Sequence, residues 1–108
     1  MKHRACIGEN VNVYNLGKIS ILERATVAQE VYLCTGTHDF SKPNLQLITR
    51  DITIKEDAFI GVRAMIMPGV TVGEKAIIGA MSIVTKDVFT DEIVAGNPSR
   101  FIDKRNYV

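Results

Sequence analysis

The sequence predicts an all-β protein, a parallel β-helix, and three observations carry that prediction. An aliphatic residue returns at every sixth position, a small or branched residue follows each one four places later, and turn-forming residues fill the gaps. From Ile54 the aliphatic column reads Ile54, Ile60, Ile66, Val72, Ile78 and Val84. The second column reads Ala58, Ala64, Val70, Ala76, Ser82 and Val88, with Gly61, Gly73 and Gly79 directly after the aliphatic.

Six is not a helical period, because a helix buries positions three, four and seven apart. It is a multiple of two, so each apolar position stays on one face of an extended strand. A short strand and a turn every six residues build a prism of three flat faces, with three hexapeptides to a coil. Stacked coils then lie about 4.8 Å apart, the spacing of paired strands. A sandwich of short strands would repeat at roughly 8 to 12 residues and without a fixed interval. The same period runs earlier through Ile21, Val27 and Leu33, with Ala25, Val31 and Thr37 as their partners. A first fragment, Ile7-Gly8-Glu9-Asn10-Val11, has the same form, but two extra residues separate it from the Ile21 frame. About five coils are expected in all.

Two segments leave the repeat. Leu33 and Ile54 are 21 positions apart, three more than a multiple of six, and Ser41, Pro43 and Asn44 between them are turn formers. Residues 39–50 therefore read as a protruding loop that starts directly after His38. Such a loop is expected to cross a subunit boundary and roof a site. Residues 93–108 form a short C-terminal extension, expected to cap one end of the prism, since solenoid ends need covering.

Composition narrows the function. The 108 residues suit one domain, 1–108, and the formal net charge of +1 argues against a nucleic-acid partner or an anionic membrane surface. No apolar run approaches the 18 residues of a membrane span. Cys6 and Cys34 cannot staple a fold and form no CxxC pair, so a cytoplasmic protein with reduced thiols is expected. Trp is absent and aromatics make up 6%, which leaves Ile, Val, Leu and Ala to build the core.

The repeat [Ile/Val]-Gly-x-x-[Ala/Ser/Val]-x resembles that of the hexapeptide-repeat acyltransferases. Three stretches extend the likeness. They are Tyr32-Leu33-Cys34-Thr35-Gly36-Thr37-His38-Asp39, Pro68-Gly69-Val70-Thr71-Val72-Gly73, and Val84-Thr85-Lys86-Asp87-Val88 followed by Ala95-Gly96-Asn97-Pro98. Together they are similar to the colanic-acid-biosynthesis, nodulation and maltose/galactoside O-acetyltransferase branch, from Ile7 to about Arg105. The resemblance implies a left-handed coil, against the usual right-handed crossover rule. It also implies a homotrimer with active sites between chains, which would add buried surface to a small core. Relatives usually carry a longer N-terminal part, so this chain is expected to be a truncated or minimal member.

The implied reaction moves an acetyl group from acetyl-CoA to a hydroxyl, with a saccharide as the leading acceptor. A base must take the alcohol proton, and histidine titrates near neutrality. The chain has His3, close to the terminus, and His38, whose Gly-Thr-His-Asp context resembles the family's catalytic histidine. Asp39 is a candidate to orient the imidazole or meet the acceptor, although successive residues on a strand point to opposite faces. Asn15 resembles an acceptor-side asparagine, and otherwise reads as a turn residue beside Gly17. Phe59 occupies an aromatic position that would wall the acceptor or the pantetheine.

Small residues at Gly61, Gly79 and Ala80 would let pantetheine reach the backbone. Thr85, Lys86 and Arg100 match positions at the nucleotide end, where cations meet phosphates. Where relatives have a second arginine this chain has Asp103, so Lys104 or Arg105 would have to substitute. No P-loop or dinucleotide motif is present. Cys34 invites an acyl-enzyme reading, but it follows the inward Leu33 and has no second histidine nearby in sequence, so direct transfer is the better account.

Three rival functions remain in view. A γ-type carbonic anhydrase on this scaffold needs three histidines on zinc, and two histidines cannot supply them, so no metal is expected. A non-catalytic β-helix scaffold would leave His38 without a purpose. A non-sugar acceptor, such as serine or an antibiotic, stays open.

Overall fold

The computed structural model describes residues 4–14 and 16–106. They form short strands joined by tight corners, wound as a parallel β-helix of four coils. Coil 1 holds β1 (Cys6–Ile7), β2 (Asn12–Tyr14) and β3 (Ile19–Ile21). Coil 2 begins with β4 (Thr26–Val27) and β5 (Tyr32–Cys34). An excursion of β6 (Gly36–His38) and β7 (Leu47–Thr49) follows, before the coil closes with β8 (Ile52–Ile54). Coil 3 is β9 (Phe59–Ile60), β10 (Met65–Ile66) and β11 (Thr71–Val72). Coil 4 is β12 (Ile77–Ile78), β13 (Ile83–Val84) and a single bridge from Val88 to Val72. The fifth coil expected from the repeat is instead an antiparallel pair, β14 (Glu92–Gly96) with β15 (Ser99–Lys104), which closes the end of one sheet.

Three sheets make the three faces. Face A stacks β1, β4, β9, β12 and β14, with β15 at its edge. Face B stacks β2, β5, β10 and β13, and face C stacks β3, β8 and β11. Within a face the coil-to-coil pairs are parallel. Their sequence offset is 18 where the repeat is unbroken, as in Phe59–Ile77 and Met65–Ile83. It is 20 across coil 1, as in Asn12–Tyr32, and 33 across the excursion, as in Thr26–Phe59. The two extra residues of coil 1 therefore fall between β2 and β3. The step from Leu33 to Ile54 is one face-to-face step of 21 residues where six would serve. Most of the protruding loop is a hairpin that starts at Gly36, so Thr37 lies in β6 and the buried partner of Ile54 is Ile52.

Each strand sends two residues inward. Ala25 and Val27, Val31 and Leu33, Ile52 and Ile54, and Ala64 and Ile66 are fully buried pairs. Small residues sit where two faces converge, and larger ones fill the axis, so the column pattern is the packing pattern.

The corners leading into faces A and B use left-handed backbone at residues that are not glycine. Asn10, Arg24, Glu30, Asp57, Arg63, Lys75, Met81 and Asp91 have φ between 57° and 64°. That conformation costs L-residues of this kind roughly 1–2 kcal/mol. Stacking offsets it, because several of these N–H groups donate to a carbonyl in the coil before. Asp57 N reaches Glu23 O at 3.1 Å, Lys75 N reaches Glu56 O at 2.9 Å, and Met81 N reaches Val62 O at 2.8 Å. No helix among the described residues is long and apolar enough to cross a membrane.

Candidate active site

His38 ends β6, on a hairpin that leaves the prism at the corner between faces B and C. The turn 39–45 begins with Asp39, whose Oδ1 accepts from Ser41 N at 3.0 Å and from Ser41 Oγ at 2.5 Å. These bonds, the hydroxyl first and the amide second, hold the Asp39 carboxyl below its ordinary value. Asp39 therefore braces the turn, and the imidazole is oriented elsewhere. His38 Nδ1 lies 2.8 Å from Leu45 O. A carbonyl can only accept, so Nδ1 carries the hydrogen and Nε2 keeps its lone pair. His38 is exposed, so Nε2 is open to a reactant.

The root of the hairpin was not picked out by sequence reasoning. Thr35 is fully buried, donates from Oγ1 to Tyr14 O at 2.6 Å and accepts from Gly17 N at 2.8 Å. Asp51 Oδ1 accepts from Lys18 N at 2.9 Å. The Tyr14 ring covers Gly36, where a Cβ would fall 2.5 Å from Tyr14 Cε2. The available signal was a polar residue, Thr35, at the point where the repeat breaks. Beside this root a shallow cavity of about 160 Å³ is lined by Asn12, Val13, Tyr14 and Tyr32. Burial, and then the neighbouring Cys34 and Tyr14, push the Tyr32 phenol up. Asn15 lies outside the described residues.

The other candidate residues divide between two corners. Thr85 and Lys86 follow β13, on the B–C corner that also carries the hairpin of His38. Gly61 follows β9, and Gly79 and Ala80 follow β12, all on the A–B corner. Phe59 points outward from face A and is 43% exposed. Arg100 pairs with Ala95 at the end of face A, and a Cβ on Gly79 would fall 2.8 Å from Ala95 Cβ, so Arg100 belongs with the A–B group. Asp103 pairs with Ile93. Lys104 Nζ donates to Thr90 O at 3.3 Å, and Arg105 Nη1 donates to Lys75 O at 3.1 Å.

The glycines have a structural cause. A Cβ on Gly61 would lie 2.7 Å from Ala80 N and 2.8 Å from Ile78 O, so the backbone that comes close is this chain's own next coil. A second cavity, of about 230 Å³, lies on face C, lined by Lys55, Thr71, Gly73, Asp87, Val88, Phe89 and Thr90. Neither cavity is lined by His38. Among the described residues no group of His, Cys, Asp and Glu is arranged to hold a metal ion.

With this geometry in view, comparison with known proteins is informative. Residues 51–86 match the family described as bacterial transferase hexapeptide (six repeats), and these residues span coil 3, the start of coil 4 and the strand before them. The putative colanic acid biosynthesis acetyltransferase WcaF of Escherichia coli K12 is 35% identical over 101 residues, covering 94% of this chain and 56% of WcaF. This chain belongs to the hexapeptide-repeat transferase family. Its fold is that family's left-handed parallel β-helix.

Among solved hexapeptide-repeat structures, galactoside acetyltransferase in complex with coenzyme A superposes with a TM-score of 0.83 at 28% identity. The match covers 98% of this chain and 62% of that one. A chloramphenicol acetyltransferase of Agrobacterium fabrum is 53% identical over 55 residues, half of this chain and 26% of that enzyme. The chain spans about half the length of WcaF and still less of the chloramphenicol enzyme.

Proposed function

We propose that this chain is an acetyl-CoA-dependent O-acetyltransferase, acting on a saccharide hydroxyl by direct transfer with His38 as general base. The observation that carries the reading is the His38 imidazole, tied at Nδ1 to Leu45 O and open at Nε2. The acceptor hydroxyl gives its proton to Nε2 as its oxygen attacks the thioester carbonyl. The tetrahedral intermediate collapses, the C–S bond breaks, and the imidazolium returns the proton to the departing sulfur. The names of related proteins support the substrates, since a colanic acid acetyltransferase and a CoA-bound galactoside acetyltransferase are both similar to this chain.

The division of candidate residues between two corners supports a homotrimer with sites between chains. His38, Thr85 and Lys86 from one prism would face Phe59, Gly61, Gly79, Ala80 and Arg100 from the next. Acetyl-CoA would lie between them, its pantetheine along the backbone of Gly61 to Ala80 and its phosphates near Lys86 and Arg100. Asn15 and Phe59 would meet the acceptor, and Asp39 would support them through the turn it braces. Residues 1–108 act here as one catalytic domain, in the cytoplasm where acetyl-CoA is made and used.

The stretch shared with chloramphenicol acetyltransferase favours a second reading, an antibiotic hydroxyl as acceptor. A screen of mono- and oligosaccharides, serine and chloramphenicol with acetyl-CoA, following free thiol, tests both. Acceptor-dependent thiol release that falls by ~10²–10⁴-fold in His38→Ala is the expected result. Release that persists in the variant removes His38 from the chemistry.

A further inference from the structure

Two irregularities interrupt the repeat, and the fold brings them to the same corner in consecutive coils. The extra residues of coil 1 lie between β2 and β3, and the hairpin of coil 2 lies between β5 and β8. Both are steps from face B to face C. One buried side chain joins them. Thr35, one residue before β6, reaches up to Tyr14 O and Gly17 N with a single hydroxyl. Its backbone adds two more bonds, Thr35 N to Tyr14 O at 3.0 Å and Arg50 N to Thr35 O at 2.9 Å.

On the returning side Asp51 Oδ1 holds Lys18 N, and Ile52 N donates to Lys18 O at 3.0 Å. Gly17 is enclosed between the two. A Cβ there would meet Asp51 Oδ1 and Thr35 Cβ, each at 3.2 Å. The hairpin is thus gripped at both strands by the turn of the coil above, while its tip carries exposed Phe40 and Leu45.

We propose that Thr35 and Asp51 are positioning residues for transfer. They clamp the hairpin that presents His38 to the 14–18 turn, and so set where Nε2 stands relative to the first coil. The proposal rests on His38 acting as the base. A hairpin joined to its scaffold only by chain ends would swing, and a base displaced by about 1 Å can lose on the order of 10²-fold in rate. A buried hydroxyl with two partners suits the task, because losing either leaves a buried backbone group unpaired.

The test is Thr35→Val, which keeps the shape and removes the hydroxyl, beside Thr35→Ser, which restores it, and Asp51→Ala. In Thr35→Val, kcat per folded molecule should fall about 10- to 100-fold while the acetyl-CoA KM stays within about twofold. Thr35→Ser should recover most of the loss, and Asp51→Ala should fall in the same direction as Thr35→Val. Amide exchange gives a readout independent of turnover. Gly17, Lys18 and the hairpin amides, Asp39 among them, should exchange at least about tenfold faster in Thr35→Val, with Gly61 and Gly79 unchanged.

Wild-type kcat in Thr35→Val overturns the proposal, as does unchanged hairpin exchange or equal acceleration throughout the prism. If His38→Ala retains full activity, the reading of the base fails, and the exchange arm still decides whether the clamp exists.

Discussion

At the scale of single residues, the glycines and His38 divide between architecture and chemistry. Gly61 is fixed by the backbone of Ala80 and Ile78, so Gly61→Val should destabilise the prism whether or not acetyl-CoA binds. Backbone cannot turn aside as a flexible side chain can, and overpacking costs of about 1–3 kcal/mol or more are expected. Denaturant unfolding in the absence of ligand checks this, and an unchanged midpoint would return Gly61 to a purely ligand-facing role. His38 is the opposite case. It is exposed and bonded only through Nδ1 to a loop carbonyl, so His38→Ala should leave the melting temperature within about 2 °C of wild type while transfer is lost. The Gly-Thr-His-Asp motif made His38 legible in the sequence. The role of Asp39 was not, because a carboxylate two residues before a serine closes its own turn, and alternation along a strand says nothing about a turn.

At the scale of elements, the corners carry charge as well as strain. Arg24 and Asp57, left-handed residues of successive coils, pair at 2.8 Å, and Arg63 pairs with Glu30 at 3.1 Å on the next corner. The Arg24 guanidinium, by hydrogen bond and then by charge, holds the Asp57 carboxyl below its ordinary value, and Lys75 and Arg105 add to this. A lowered carboxylate contributes stability above the unfolded pKa, about 3.9, and loses it as pH falls through the folded value. The Arg24 shift is upward from 12.5, so its own contribution is lost only in strong base. Asp57→Asn should therefore lower the melting temperature at pH 7, and the gap from wild type should close below about pH 3. A gap independent of pH would mean that packing, and not charge, made the difference. The same alignment makes these corners possible at all, since sequence neighbours cannot pair Arg24 with Asp57, 33 positions away.

At the scale of the whole molecule, the prism presents different surfaces to solvent. Outward positions of face B include Tyr14, Tyr32, Met65 and Ile83, whereas face C shows Ser20, Thr53 and Thr71. If sites form between prisms, sedimentation at micromolar concentration should report three chains, and a stable active monomer would contradict that arrangement. Mixing supplies a sharper check. Lys86 and Arg100 stand on different corners, so Lys86→Glu and Arg100→Glu should each raise the acetyl-CoA KM by roughly fivefold, about 1 kcal/mol for an exposed contact. The acceptor KM should stay unchanged, and high salt should shrink the effect. A rise in acceptor KM with acetyl-CoA unaffected would remove these cations from the donor site. Core substitutions speak to the scaffold alone, and Ile66→Ala, at a fully buried axis position, should cost about 2–5 kcal/mol in unfolding free energy.

The sequence by itself determined the period, and with it the face, the inward columns and nearly the whole core. Those follow from a local rule, since a residue's side of a strand depends only on whether its distance from the last inward residue is even. It also marked where the rule fails, at the two extra residues before Ile21 and at the long gap after Leu33. What lies at a corner is not local. It depends on how insertions add up over coils that stack 18, 20 or 33 residues apart. Only the tertiary structure decided that both irregularities share the B–C corner and that Thr35 is buried between them. It also decided that Gly61 meets Ala80, and that the residues expected around one acetyl-CoA stand on two corners of the same prism. The last coil shows the limit most plainly. An aliphatic at Val94 keeps its column, but the chain then turns back on itself at Gly96, and antiparallel pairing ends the helix.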